Sequence, residues 1–169
     1  MEKNITIRQL TVDDWEVFKK IRLEAVKENS HSYLTNFDEE SLKGDAYWID
    51  TLHDHYNGTV FGIYHKGIAI GIMGAFRYRE SKIDTVILGM AYIQNSYRGI
   101  KLSNYLYEAS IGWAKEQDGI IRILISHRDD NKASESTIKK WGFNFLEKVK
   151  ITYGDGTTDF SHRYELRIQ

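Results

Sequence analysis

Residues 85–103 read TVILGMAYIQNSYRGIKLS, running from Thr85 through Ile93 and a polar turn to Ser103. The first nine are almost continuously apolar, the pattern of a strand covered on both faces and therefore central in a sheet. Gln94, Asn95 and Ser96 make the turn. Leu102, Tyr105, Leu106, Ala109 and Trp113 then recur at helical spacing, and Asp118-Gly119 ends the helix. A buried strand that feeds a helix N-terminus makes an anion site, because free amides and the positive end of the helix dipole face one point. Arg98 adds a guanidinium suited to phosphate, and Gly99 lets the backbone come close. Alone, an Arg-Gly pair at a helix start is common, so its weight depends on its surroundings.

Downstream, residues 120–126 form a second buried strand. Asp129 or Asp130 caps a short helix carrying Ala133, Thr137, Ile138 and Trp141, and Gly142 stops it. Residues 143–153 and 158–168 close the chain as a hairpin around Gly154-Asp155-Gly156. Upstream, 59–64 and 68–78 form another hairpin through Lys66-Gly67. Ile5 and Ile7 alternate as a first strand. Thr11 and Asp14 have the spacing of a capping box, and Trp15, Phe18, Ile21, Arg22, Ala25 and Val26 follow at helical spacing. Residues 29–37 read as a loop. A shorter helix over 39–53 presents Leu42, Tyr47, Trp48, Ile49 and Leu52. The order β-α-α-β-β-β-α-β-α-β-β predicts an α/β (α+β) fold. Its sheet is mixed and mostly antiparallel, with about seven strands flanked by about four helices.

The bulk numbers narrow the function classes. A chain of 169 residues suits one domain, 1–169, with one core. Its 23 basic and 24 acidic residues give a net charge of -1, without the basic stripe of a nucleic-acid binder. There is no cysteine, hence no disulfide, thiolate nucleophile or Cys-based metal site. The two longest apolar stretches are separated by His65-Lys66-Gly67 and are too short to span a bilayer. With no signal-peptide pattern over 1–8, the expected location is cytoplasmic, with no membrane partner. His53 and His55, two apart around Asp54, do not have the spacing of a helical metal site, and no metal is expected.

Taken together, 85–103 and the stretch Asn131, Ser134, Gly142, Phe143 resemble the GNAT superfamily of acetyl-CoA-dependent N-acetyltransferases. The likeness covers the element order of the whole chain and, in motif, residues 85–143. Arg98 matches the first position of the family's Arg/Gln-x-x-Gly-x-Gly/Ala loop, with Tyr97 before it and Gly99 after it. The segment of Arg22, Leu23, Glu24 and Ala25, with 33–40 after it, is similar to the helix-loop that lines the acceptor site in some members. This resemblance implies a V-shaped opening between two central strands and acetyl-CoA as acyl donor. Backbone groups of Ala91, Tyr92 and Ile93 would pair with the pantetheine arm. Amides of Arg98, Gly99, Ile100, Lys101, Leu102 and Ser103 would hold the pyrophosphate, and Asn131 and Ser134 would touch the arm. Four positions depart from the family: Lys101 for the central glycine, Ser103 for the final Gly/Ala, Asn95 for proline, and Ile138 for a tyrosine that protonates the leaving thiolate.

The implied chemistry is attack of a neutral amine on the thioester. An alkyl amine has a pKa near ~10.4, so a proton must first be removed. A backbone amide near Tyr92 can serve as oxyanion donor. His127, at the end of the second buried strand, is the candidate base, and Tyr92 or Tyr105 the candidate acid. Tyr33, Phe37, Tyr47 and Trp48 either wall the acceptor site or pack the N-terminal helices. The acceptor is then the amine of a small molecule, peptide or protein. The alternative is a non-catalytic acyl-CoA-binding module, motivated by Ile138, Lys101 and the lack of a carboxylate over 86–93. An unrelated nucleotide-binding domain is disfavoured by the absence of a P-loop or Gly-x-Gly-x-x-Gly pattern. The C-terminal hairpin leaves an edge at which a homodimer could form.

Overall fold

The computed structural model describes residues 4–53, 58–78 and 84–168; Asp54 and His55 lie outside them. The strands are β1 (Ile5–Gln9), β2 (Gly58–His65), β3 (Ile68–Arg77), β4 (Thr85–Ile93), β5 (Arg122–Arg128), β6 (Asn144–Thr152) and β7 (Thr158–Arg167). The helices are α1 (Trp15–Glu28), α2 (Phe37–Ser41), α3 (Asp45–Thr51), α4 (Ser103–Glu116) and α5 (Lys132–Lys140). All seven strands form one sheet in the order β1-β2-β3-β4-β5-β7-β6, in which β4 and β5 are parallel and every other pair is antiparallel. β4 spans the residues its apolar run predicts and is the middle strand.

Local chemistry sets the joints. The amide of Thr11 donates to Asp14 Oδ2 at 2.8 Å, the return half of a capping box, just ahead of α1. Arg8 closes on the same carboxylate with two bonds of 2.7 Å and, with Thr11, holds its pKa at about 2. Lys66 and Gly67 take positive φ, 50° and 81°, as a two-residue hairpin of the primed type requires.

Two helical readings need correction. The helix expected over 39–53 is two helices: Asn36 Oδ1 caps α2 by accepting from the amide of Glu39 at 2.9 Å, and α3 starts afresh after Gly44. Leu42, in the break, is exposed. The inward face of α4 is turned by about one residue from the expected stripe: Leu106, Tyr107, Ser110, Ile111 and Ala114 are buried, whereas Tyr105, Ala109 and Trp113 are half-buried.

Two apolar layers sandwich the sheet. On one face α1 and α3 pack Phe18, Ile21 and Trp48 against Val60, Ile72 and Tyr92, with Trp48 edge-on to Phe18 at 5.6 Å. On the other, α4 and α5 pack Leu106, Ile111 and Ile138 against Met73, Leu88, Ile123 and Ile125. Arg22 and Glu40 form a buried pair across α1 and α2, with bonds of 3.1 and 2.9 Å. Removing either partner would leave a buried charge, at a cost of about 3–5 kcal/mol. β6 is an edge strand, and it carries Lys148 and Lys150, which discourage pairing with a second sheet. Among the described residues, no helix is long and apolar enough to cross a membrane.

Candidate active site

β4 and β5 pair only over Thr85, Val86 and Ile87 opposite Arg122, Ile123 and Leu124. Beyond that point β4 stays with β3 as far as Ile93, and β5 stays with β7 as far as Arg128. The two central strands therefore part in the middle of the sheet. A bulge lies just beyond the parting. Ile72 faces Tyr92 and Gly74 faces Gly89, so Met73 alone stands opposite two residues, Met90 and Ala91. Met90 takes φ 56°, a left-handed conformation costly for a side chain of that kind. Such an extra residue bends its strand and re-aims the groups beside it.

The parted strands open a cavity of about 1250 Å³ that reaches both faces of the sheet. On the α4–α5 side it is lined by Leu102, Ser103, Tyr107, Asn131 and Ser134, and on the α1 side by Arg22, Tyr33, Phe76 and Arg128. Of the residues singled out in the sequence, Ala91, Tyr92, Ile93, Arg98, Gly99, Lys101, Leu102, Ser103, His127, Asn131 and Ser134 all line it. Ile100 is half-exposed and instead lines an adjoining hollow of about 500 Å³, together with Lys101, Asn104, Lys140 and Trp141.

The turn into α4 has the makings of an anion cradle. Among the described residues, no backbone carbonyl accepts from the amides of Gly99, Ile100, Lys101 or Leu102. Gly99 and Lys101 take φ of 81° and 64°, which turns successive amides the same way. Lys101 thus occupies the left-handed position a glycine would fill without strain. Neither Lys101 nor Lys140 has a carboxylate within ion-pair distance among the described residues, so both bring uncompensated charge.

Arg98 departs from its expected direction. Its Nε donates to Ile93 O at 2.7 Å, its Nη2 lies 3.8 Å from Glu28, and its guanidinium covers the Tyr92 ring at 5.6 Å. The side chain ties the turn back to β4 and α1, which leaves the amides as the loop's free donors. The Tyr92 side chain likewise turns to α1. Its ring packs under α1, and its hydroxyl lies 2.8 Å from carboxylate oxygens of both Glu24 and Glu28. Burial, and then those carboxylates, push its pKa far up, and the hydroxyl is engaged under α1. On the open edge of β4, the Ala91 carbonyl accepts from Tyr33 Oη at 2.8 Å and the Ile93 carbonyl from Arg98.

His127 points to the α5 face. Its Nδ1 lies 2.7 Å from Arg128 O, its Nε2 3.4 Å from Tyr164 Oη, and its ring stacks on Tyr164 at 5.4 Å. Burial lowers its pKa. The cap of α5 is Asn131, not the expected Asp129 or Asp130: Asn131 Oδ1 accepts from the amide of Ser134 at 3.1 Å. Ile138 is fully buried in the core. Tyr105 is half-buried beside the hollow. Its neighbour Tyr107, overlooked in the sequence, is buried, lines the cavity and stacks on Trp141 at 5.9 Å with a 10° tilt. The signal was there in the chain as a tyrosine one turn into the helix, masked by the stripe assigned through Tyr105. Trp48 packs in the core, and of the proposed aromatic wall only Tyr33 lines the cavity. Among the described residues, no group of His, Cys, Asp and Glu could hold a metal ion.

The model of the acetyltransferase (GNAT) family matches residues 15–143. No curated protein matches the sequence significantly. Among solved structures, an acetyltransferase of the GNAT family from Streptococcus pneumoniae aligns with a TM-score of 0.82 at 16% identity, over 98% of this chain and 99% of that one. For yncA of Salmonella typhimurium, solved with its cofactor acetyl-CoA, the TM-score is 0.81 at 16% identity, over 99% and 95%. For an N-acetyltransferase from Staphylococcus aureus the values are 0.74 and 21%, over 97% of each. At these identities the likeness is one of fold.

Proposed function

Because the chain belongs to the acetyltransferase (GNAT) family, a family of acyltransferases that use acetyl-CoA as donor, we propose that it moves the acetyl group to a primary amine of a small molecule, peptide or protein. The observation that carries this is the parting of β4 and β5 beyond Ile87 and Leu124. It joins an anion cradle on one face of the sheet to an open wall on the other. The pyrophosphate meets the free amides of residues 99–102 at the start of α4, with Lys101 and Lys140 beside it. The pantetheine arm lies between the strands, against the open edge of β4 at Ala91, Tyr92 and Ile93, with Asn131 and Ser134 alongside. The amine arrives from the α1 side, past Tyr33.

Roles follow from these positions. A backbone amide at the bulge, near Tyr92, meets the developing oxyanion at little reorganisation cost. Tyr107, rather than the engaged Tyr92 hydroxyl, protonates the departing thiolate. Its hydroxyl has no protein partner among the described residues, and burial pushes its pKa up, so it is protonated at neutral pH. His127 faces α5, opposite the amine's approach, and serves packing; the amine loses its proton to water. Nitrogen bonds to the acetyl carbon, the carbon–sulfur bond breaks, and sulfur leaves as the thiol.

The test is a thermal-shift comparison of acetyl-CoA, ATP and NAD, followed by thiol release with a panel of amines. A ligand at about a hundred times its Kd adds roughly 2.7 kcal/mol of stability. Stabilisation by acetyl-CoA alone and amine-dependent thiol release are expected. No response to millimolar acetyl-CoA would overturn the donor site, and binding without transfer to any amine would make the chain an acyl-CoA-binding module.

A further inference from the structure

The α1-side wall of the cavity presents guanidinium groups, with their carboxylates set behind them. Arg22 and Arg128 line the cavity, whereas Glu40, Asp155 and Asp159, to which they are paired, do not. Asp130 is the one carboxylate in the lining among the described residues. The two arginines differ in what they have left to give. Every nitrogen of Arg128 has an acceptor: Nε bonds Asp159 at 3.0 Å, Nη1 bonds His31 O and Asp155 at 3.0 Å each, and Nη2 bonds Thr157 at 2.8 Å. Arg22 gives Nε and Nη2 to Glu40, but Nη1 has no acceptor among the described residues, although the residue is only 5% exposed.

A buried charged donor without an acceptor is costly, and an oxygen that meets it is bound well in return. The position of this donor says which oxygen. The Tyr33 ring lies over the Arg22 guanidinium at 4.6 Å, and the Tyr33 hydroxyl reaches Ala91 O at the bulge. The Arg22 guanidinium is therefore one phenol ring away from the point where the strands part. We infer that Arg22 Nη1 receives a carbonyl or carboxylate oxygen standing next to the reactive amine. The acceptor is then an α-amino acid or the N-terminal residue of a peptide. A polyamine carries no oxygen beside its reactive amine for Nη1 to meet.

This inference rests on the acetyl-transfer reading, and the experiment separates the two. Thiol release is measured for free amino acids, their amides, short peptides, the matching decarboxylated amines, and spermidine. Amines with the adjacent carbonyl are expected to exceed their decarboxylated partners by about 10- to 100-fold in kcat/KM, as for a hydrogen bond to a charged group. Free acids ahead of amides would identify a carboxylate ligand, and amides and peptides level with or ahead of acids a peptide carbonyl. In Arg22→Lys, which keeps a cation beside Glu40 but deletes Nη1, the ratio should fall toward one. Equal or better turnover of decarboxylated amines or spermidine by the wild-type protein overturns the inference without need of the variant. So does acetyl-CoA binding with no carbonyl-bearing amine acetylated. Failure to bind acetyl-CoA would instead remove the donor reading.

Discussion

The hydroxyl of Tyr33 donates to the carbonyl of Ala91 at 2.8 Å, a bond that joins the loop before α2 to the bulge of β4 across 58 positions of sequence. Burial pushes the phenol's pKa up to about 12, so it is a donor at every physiological pH. Tyr33→Phe keeps the ring over Arg22 and deletes only this bond. The expected loss of stability is about 0.5–1.5 kcal/mol, read by urea unfolding. The KM for the amine should rise while the affinity for acetyl-CoA holds. Loss of acetyl-CoA affinity instead would show that the bond shapes the donor side.

Lys101 stands at φ 64° with its side chain in solvent, at the start of α4. Left-handed backbone costs an ordinary residue about 1–2 kcal/mol, part of which glycine gives back through its freer unfolded chain. Lys101→Gly should therefore raise stability by about 1 kcal/mol and weaken acetyl-CoA binding, more so at low salt, because an ammonium is lost beside the phosphates. A stabilised protein with unchanged affinity and salt dependence would place the lysine away from the phosphates.

How far the sequence reached can be judged from these residues. β4 was legible because an unbroken apolar run of nine residues has one economical burial, in the middle of a sheet. The capping pair of Thr11 and Asp14 was legible because its chemistry is local. Residue type alone points Arg98 at phosphate, but its direction depends on Glu28 and Tyr92, which only the packing of α1 on β4 brings near. The bulge left no mark, since neither Met90 nor Ala91 belongs to the residues that favour one. The break between α2 and α3 did leave signals, Asn36 three before Glu39 and then Gly44, but the apolar spacing across it mimicked one helix. On α4, Tyr105 and Tyr107 both fit a helical period, and only the sheet beneath decides which of them faces inward.

His127 should titrate below the ordinary histidine range. The groups facing it are Arg128 O, His162, Tyr164 and, from α5, Lys132 and Glu135; burial is the largest influence and lowers the pKa. Since the unfolded chain protonates first, near pH ~6.5, the stability due to the neutral ring is full above that pH and is lost as pH falls through the folded value. Imidazole proton shifts should give a midpoint below 6.5, and the pH profile of kcat should survive His127→Gln. Loss of the profile's acidic limb in that variant would restore this histidine as the base.

Ser103 opens α4 and lines the cavity. Ser103→Asp would favour the empty helix start, where a carboxylate is welcome, yet oppose a pyrophosphate there. The melting temperature without ligand should hold or rise while acetyl-CoA stabilisation disappears. Retained acetyl-CoA stabilisation would mean that the phosphates lie elsewhere.

Tyr107 offers the sharpest separation of chemistry from binding. Its ring is held flat against Trp141, whose Nε1 is tied to Asn104 Oδ1 at 3.3 Å, so α4 and α5 together fix the phenol. Tyr107→Phe keeps that stack and removes the proton. If the phenol protonates the thiolate, kcat should fall by about a hundredfold or more, within the range of general acid catalysis, while acetyl-CoA binds as before and the melting temperature barely moves. Above the pKa of the leaving thiol, where the thiolate departs without help, the gap between variant and wild type should narrow as pH rises. A purely structural tyrosine predicts a gap independent of pH and a loss of stability, and kcat unchanged in the variant would return the acid role to water.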